Sequence, residues 1–167
     1  MDARVRPITL ADIEGFRACV DAVMRERRYL AFLRAFSLTD TATFVARNLE
    51  VGNPHFVADA AGEIVGWCDV RRETVDSYAH VGHLGMGVAA PWRGRGLGER
   101  LLRATIEAAS TAGFEKIELS VYATNARARA LYERVGFVLE GTRVRGRKVD
   151  GRYDDVHMMA WFPPAPV

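Results

Sequence analysis

The segment Val88-Ala-Ala-Pro-Trp-Arg-Gly-Arg-Gly-Leu-Gly98 constrains this chain most, because its glycines and arginines join a run that reads as a strand to one that reads as a helix. Gly94, Gly96 and Gly98 remove Cβ atoms where the backbone must turn tightly and approach a ligand, and Arg93 and Arg95 bring fixed charge to the same place. The helix beginning at Leu97 adds unpaired N–H groups and the positive end of its dipole. These features predict a cradle for a phosphate or pyrophosphate. A P-loop would need Gly-Lys-Ser/Thr, which neither Arg95-Gly96-Leu97 nor Leu97-Gly98-Glu99 supplies. A dinucleotide fold would need Gly-x-Gly-x-x-Gly after the first strand and an acidic residue about 20 positions on. Here the final gap is one residue and the loop lies mid-chain. An ordinary strand-to-helix turn would use the glycines but leave the two arginines unexplained.

Read in order, Ala3 to Pro7 predicts a short strand, and Thr9-Leu10-Ala11-Asp12 a capping box opening a helix through Arg25. A second helix is expected from Thr39 or Asp40 to just before Gly52-Asn53-Pro54. Phe56–Asp59, Glu63–Arg71 and Ala79–Val88 predict an antiparallel meander with turns at Ala60-Ala61-Gly62 and around Thr74 to Ser77. Leu97, Leu101, Leu102, Ile106 and Ala109 recur at helical spacing up to Gly113. Ile117, Leu119 and Val121 alternate as a strand, Asn125 caps a short helix ended by Gly136, and a hairpin turns at Asp150-Gly151. The order is β-α-α-β-β-β-α-β-α-β-β, an α/β fold whose mixed sheet carries helices on its faces.

A chain of 167 residues fits one domain, expected over 1–162, with 163–167 as a loose tail. Its longest apolar stretches fall far short of a membrane span, and Met1 to Arg6 lacks the apolar core of a signal peptide. The cytoplasm is the expected compartment, with no membrane partner. Cys19 and Cys68 sit among apolar neighbours and read as buried thiols. His55, His80, His83 and His157 show no zinc-like spacing, so no metal is expected. Net charge is only +2, although basic residues gather at Arg93 to Arg103 and at Arg143, Arg145, Arg147, Lys148 and Arg152. A nucleic-acid binder would be more basic, with aromatics interleaved for stacking, so no nucleic-acid partner is expected.

Val88 to Gly98 resembles the Val-x-x-x-Trp/Tyr-Arg/Gln-Gly-x-Gly-Ile/Leu-Gly/Ala segment of the GCN5-related N-acetyltransferases. Asn125-Ala-Arg-Ala-Arg-Ala-Leu-Tyr-Glu-Arg-Val-Gly-Phe137 resembles that family's second signature, one helix and one strand later. The resemblance covers residues 3 to 162 in element order. It implies a GNAT-like acyl-CoA N-acyltransferase fold and an enzyme that moves acetyl from acetyl-CoA, as co-substrate, to a primary amine. Direct attack in a ternary complex is expected. The terminal hairpin, with Asp154-Asp155 and Met158-Met159, resembles the small-amine and amino-acid branch. A small-molecule amine is then the partner, and a homodimer is compatible with it. The alternatives are a protein N-terminal or lysine acetyltransferase and a CoA-binding regulatory module without turnover.

By resemblance, the backbone of Met86, Gly87 and Val88 holds the acetyl carbonyl and pantetheine amides. Arg93, Gly94, Arg95, Gly96, Leu97 and Gly98 hold the pyrophosphate, and Asn125 both caps its helix and touches CoA. The Gly85-Met86-Gly87 spacing suits a bulge or a close backbone approach. By periodicity Tyr132 shares a face with Leu131 and Val135 as a core aromatic, whereas the resemblance makes it the general acid for the departing thiolate. An alkyl amine, of pKa about 10, must lose a proton before it attacks. His83 and Glu118 are candidate bases, with His80 and Asp69 also in range, and Glu118 and Ser120 form a polar row toward the cleft. Tyr29, Phe32 and Phe36 stand where an amine pocket could be shaped.

Overall fold

Alternating strands and short turns build one sheet in the computed structural model, which describes residues 2–164. Its strands are β1 (Arg4–Pro7), β2 (His55–Ala60), β3 (Glu63–Arg72), β4 (Val81–Val88), β5 (Lys116–Tyr122), β6 (Val138–Val149) and β7 (Arg152–Trp161). Across the sheet they run β1-β2-β3-β4-β5-β7-β6. The helices are α1 (Ile13–Arg25), α2 (Leu38–Glu50), α3 (Leu97–Thr111) and α4 (Ala126–Val135), so the mixed α/β architecture has the expected element order. Met1 and residues 165–167, part of the expected tail, lie outside the described residues.

The sheet separates two cores. Cys68, Val70, Ile117, Leu119, Val121 and Met159 pack with Leu97, Leu101, Leu102 and Ile106 of α3 and with Tyr132 of α4. On the other face Val57 and Trp67 pack with Phe16, Cys19 and Val23 of α1 and Val45 of α2. Fully burying each such aliphatic side chain contributes about 1.5–3 kcal/mol.

β4 and β5 are parallel, and they pair only at Val81↔Lys116, Gly82↔Ile117 and His83↔Glu118. Beyond that rung β4 continues to Val88 and β5 to Tyr122 without pairing to each other, so the sheet opens as a wedge. β5 stays paired to β7 along its other edge as far as Tyr122↔Val156.

Several boundaries differ from the sequence reading. α2 starts at Leu38 because Ser37 caps it, its Oγ accepting from the Asp40 N–H at 3.0 Å. β4 starts at Val81, since Arg72 donates to the Ala79 carbonyl at 2.6 Å and holds that residue in the preceding turn. The expected capping box is present at Thr9, whose backbone N–H donates to the Asp12 carboxylate at 2.8 Å, but it opens a short 3-10 turn over Leu10–Asp12 before α1 begins at Ile13. β6 carries an irregularity between Arg143 and Arg147, with Arg145 at φ 53° and its N–H donating to Asp155 at 2.7 Å.

Gly85-Met86-Gly87 forms no bulge. The β3–β4 register runs unshifted from Gly66↔Val88 to Arg72↔Gly82. A Cβ on Gly87 would lie 2.5 Å from Cζ3 of Trp67, so the glycine makes room for the indole.

His55 and Asp69 are cross-strand neighbours, both buried, and oppose each other with pH. Burial lifts the Asp69 carboxyl from 3.8 to about 7 against the pull of Arg71, and lowers the His55 imidazole from 6.5 to about 4. An acid raised in the fold keeps a proton that the unfolded chain releases, so its contribution falls as pH rises from about 4 to about 7. A base lowered in the fold lacks a proton that the unfolded chain binds, so its contribution rises from about pH 4 to about 6.5. Asp69→Asn is expected to make melting temperature climb with pH across this window, and His55→Gln to make it fall. Parallel curves for the variants and the parent would contradict both assignments.

Candidate functional site

A cleft of about 670 Å³ opens where the glycine-rich loop meets α3 and α4. Its walls include Met86, Gly87 and Val88 of β4, Gly94, Gly96, Leu97 and Gly98 of the loop and α3, and Asn125, Leu131 and Tyr132 around α4. Gly94 and Gly96 have φ of 80° and 75°, the left-handed conformation that a side chain would strain, and Gly96 caps α3. A Cβ on Gly98 would lie 3.3 Å from Leu131, so that glycine sets how closely α3 and α4 pack. Asn125 accepts from the Ala128 N–H at 3.2 Å as the expected cap. The first turn of α3 therefore faces an open, glycine-lined cavity suited to an anion.

Arg93 lines this cleft, but its charge is committed elsewhere. The guanidinium makes a bidentate pair with Glu26, at 2.6 and 2.8 Å, while Nε donates to the Val88 carbonyl at 2.7 Å. It also stacks over Tyr29 at 4.8 Å. The residue ties the end of α1 to the end of β4, a role invisible when Arg93 is read only with its chain neighbours. Arg95 instead lies over Trp92 at 5.5 Å. Arg28 and Arg127 also line the cleft, and the sequence reading missed both. Their signal was weak, since Arg127 is one of several arginines on α4 and Arg28 lies in an irregular stretch. Glu26→Ala and Arg93→Ala are each expected to lower unfolding free energy by about 1.5–3 kcal/mol, and the double variant by little more. Additive losses in chemical denaturation would refute the clamp.

Tyr132 is 8% exposed and belongs to the α3-side core, 5.8 Å from the Phe137 ring, yet it also lines the cleft. Tyr132 is thus at once a core residue and part of the cleft wall. Burial pushes its phenol well above the usual range, so it stays protonated at working pH.

The candidate bases occupy the opposite face. His83 Nε2 is 3.0 Å from Glu73, and its Nδ1 is 3.8 Å from Glu118. Lys116 pairs with Glu118 at 2.7 Å and with Glu140 at 2.9 Å. Asp69 stands one rung deeper on β3, opposite Gly85, whereas His80 precedes β4 and is exposed. Glu73 is the member of this group that sequence reasoning missed. His83 and Glu118 form the last rung before β4 and β5 part, and neither is among the residues that line the cleft.

Arg147 roofs the same face. It donates to the carbonyls of Arg27 at 2.9 Å and Leu30 at 3.3 Å, and stacks over Tyr122 at 4.2 Å. Arg27 in turn pairs with Asp150 at the hairpin tip, at 2.6 and 2.9 Å. The terminal hairpin and the segment after α1 are thus stitched together. Phe32 and Phe36 meet edge to face at 4.7 Å and are exposed, while Tyr29 reaches the cleft. Among the described residues no group of three or more His, Cys, Asp or Glu side chains could hold a metal ion, and no helix could cross a membrane.

The family model described as "Acetyltransferase (GNAT) family" matches residues 22–137. The L-amino acid N-acetyltransferase AaaT of Escherichia coli K12 is 32% identical over 110 residues, 65% of this chain and 68% of that protein. The L-methionine sulfoximine/L-methionine sulfone acetyltransferase of Pseudomonas paraeruginosa is 28% identical over 168 residues, 95% of this chain and 94% of its own length. In fold, the chain is similar to a GNAT superfamily phosphinothricin acetyltransferase from Sinorhizobium meliloti in complex with AcCoA. The TM-score is 0.90 at 20% identity, over 97% of this chain and 89% of that one. With a glycine-lined anion cleft beside a split sheet and a family match across most of its length, the chain belongs to the GNAT family of acetyltransferases.

Proposed function

We propose that residues 2–162 form one catalytic domain that transfers an acetyl group from acetyl-CoA to the amino group of a small acceptor, an amino acid in the first instance. The observation that carries this reading is the parting of β4 from β5 beyond the His83–Glu118 rung, on the same strand whose Met86 to Val88 line the anion cleft. The relatives named for L-amino acids and for methionine sulfone support the acceptor class. The stitching of the hairpin to the segment after α1 by Arg147 favours a small acceptor over a peptide lying in an open groove.

Acetyl-CoA bound in the cleft supplies an activated acyl thioester. The Gly94–Gly98 turn and the first N–H groups of α3 receive its pyrophosphate, with Arg28 and Arg127, which line the cleft, supplying charge. The backbone of Met86 to Val88 orients the acyl arm along the unpaired edge of β4. His83, flanked by Glu73 and Glu118, takes the proton that the acceptor ammonium must lose. Tyr132, on the cleft side, gives its proton to the departing sulfur.

Thiol release from acetyl-CoA, screened against L-amino acids, simple amines, polyamines, aminoglycosides and N-terminal peptides, tests the reading. Turnover is expected with one or more free amino acids and acetyl-CoA is expected to raise the melting temperature. Faster turnover of peptides would move the acceptor to protein N-termini, and absence of an acetyl-CoA shift would overturn the donor assignment. A shift without turnover of any amine would indicate a CoA-binding module.

A further inference from the structure

We propose that Arg71 selects the acceptor by binding the carboxylate of a free α-amino acid whose amino group is presented to His83. The inference rests on the acetyl-transfer reading above and names the residue that would recognise the second charge of the acceptor.

The strand register puts Arg71 directly opposite His83, and His83 directly beside Glu118. Three adjacent strands thus carry a cation, an imidazole and a carboxylate in one transverse row on the face that holds Trp67 and Asp69. Directly opposed residues have Cβ atoms about 4.5–5.5 Å apart in an antiparallel pair. In an α-amino acid the nitrogen and the carboxylate carbon are two bonds apart, about 2.5 Å from standard bond lengths. With a hydrogen bond at each end, such a zwitterion spans the distance from a flexible guanidinium to the neighbouring imidazole. The order of charges across the row complements it, carboxylate toward Arg71 and ammonium toward His83 and its flanking carboxylates.

Arg71 is also the arginine beside this row whose donors remain uncommitted. Arg72 donates to the carbonyls of Ala79 at 2.6 Å and Ala112 at 2.8 Å and stacks on Phe114 at 3.9 Å. Arg93 is held by Glu26, and Arg147 by the backbone of Arg27 and Leu30. Arg71, by contrast, donates no hydrogen bond among the described residues. Its nearest carboxylate is Asp69 at 3.8 Å, and its guanidinium leans over Phe44 at 5.9 Å. The side chain is 55% exposed, so an acceptor reaches it without displacing the core. A guanidinium fork with free donors matches a carboxylate bidentately, which an ammonium cannot do.

The test compares free L-amino acids, L-methionine sulfone among them, with their carboxamides, using the full chain and saturating acetyl-CoA. The parent enzyme is expected to prefer the acid over its carboxamide by tenfold or more in kcat/KM. Arg71→Gln should raise KM for the acid about 10–100-fold, leave kcat and the carboxamide kinetics nearly unchanged, and so erase the preference. Arg71→Lys should recover part of it. Equal kinetics for acid and carboxamide in the parent, or an equal loss for both in Arg71→Gln, would overturn the assignment. Calorimetric binding of L-methionine sulfone in the presence of CoA gives a readout independent of turnover. Loss of that binding in Arg71→Gln upholds the carboxylate contact even if the acetyl-transfer reading fails, and binding unchanged by the substitution, or absent in the parent, overturns it.

Discussion

Replacing Tyr132 by phenylalanine is expected to lower kcat by about 10²–10⁴-fold, the usual range for loss of a positioned acid, with little change in acetyl-CoA affinity. The substitution keeps the ring that packs at 5.8 Å from Phe137 and removes only the hydroxyl. Among the described residues that hydroxyl takes part in no protein hydrogen bond, so its loss orphans no partner. An objection is that a phenol raised by burial is a weak acid. The same core raises a thiol as well, as Cys68 shows, held above the usual thiol range chiefly by burial. A thiolate leaving inside the cleft is thus a stronger base than one in water, and the two demands move together. Single-turnover kinetics should show the defect in the chemical step. Unchanged turnover would return Tyr132 to a packing role.

Gly87→Ala is expected to cost about 1–3 kcal/mol of stability through overpacking, a large share of the ~5–15 kcal/mol typical of a whole domain. The added methyl would fall within 2.5 Å of Cζ3 of Trp67. That indole is 4% exposed and stands edge-on to Phe16 at 6.0 Å, so it has no free volume into which to retreat. Trp67→Phe removes ring atoms at the clash and leaves a gap of its own. Combined, the two changes should destabilise less than the sum of the singles, because each relieves the other. Additive losses in denaturant titrations would show that the glycine serves some purpose other than admitting the indole.

Local patterns account for how much could be read in advance. Helix α3 has the bounds that its apolar spacing and Gly113 predicted, and Asn125 and Gly136 delimit α4 by cap chemistry confined to neighbouring residues. Gly94 and Gly96 announce themselves because a positive φ is a property of a single residue. The clamp made by Arg93 is hidden for the complementary reason. Its partner, Glu26, lies 67 positions away, and nothing near either residue marks the pair. Arg147 belongs to a basic run in the sequence, yet it turns inward to carbonyls more than 115 positions distant. Glu73 likewise gains meaning only through His83, ten residues on and across a turn.

The amino-acid sequence by itself determined the order of elements and the glycine turn that opens α3, since each depends on the conformational limits of neighbouring residues. The tertiary structure alone decided where β4 and β5 part, because strand pairing is a contest between distant segments, and here β5 stays paired with β7 after it has left β4. That parting brings the His83–Glu118 rung to the apex of an opening and sets Arg71 beside it. Charges far apart in the chain thereby stand in one row across three strands.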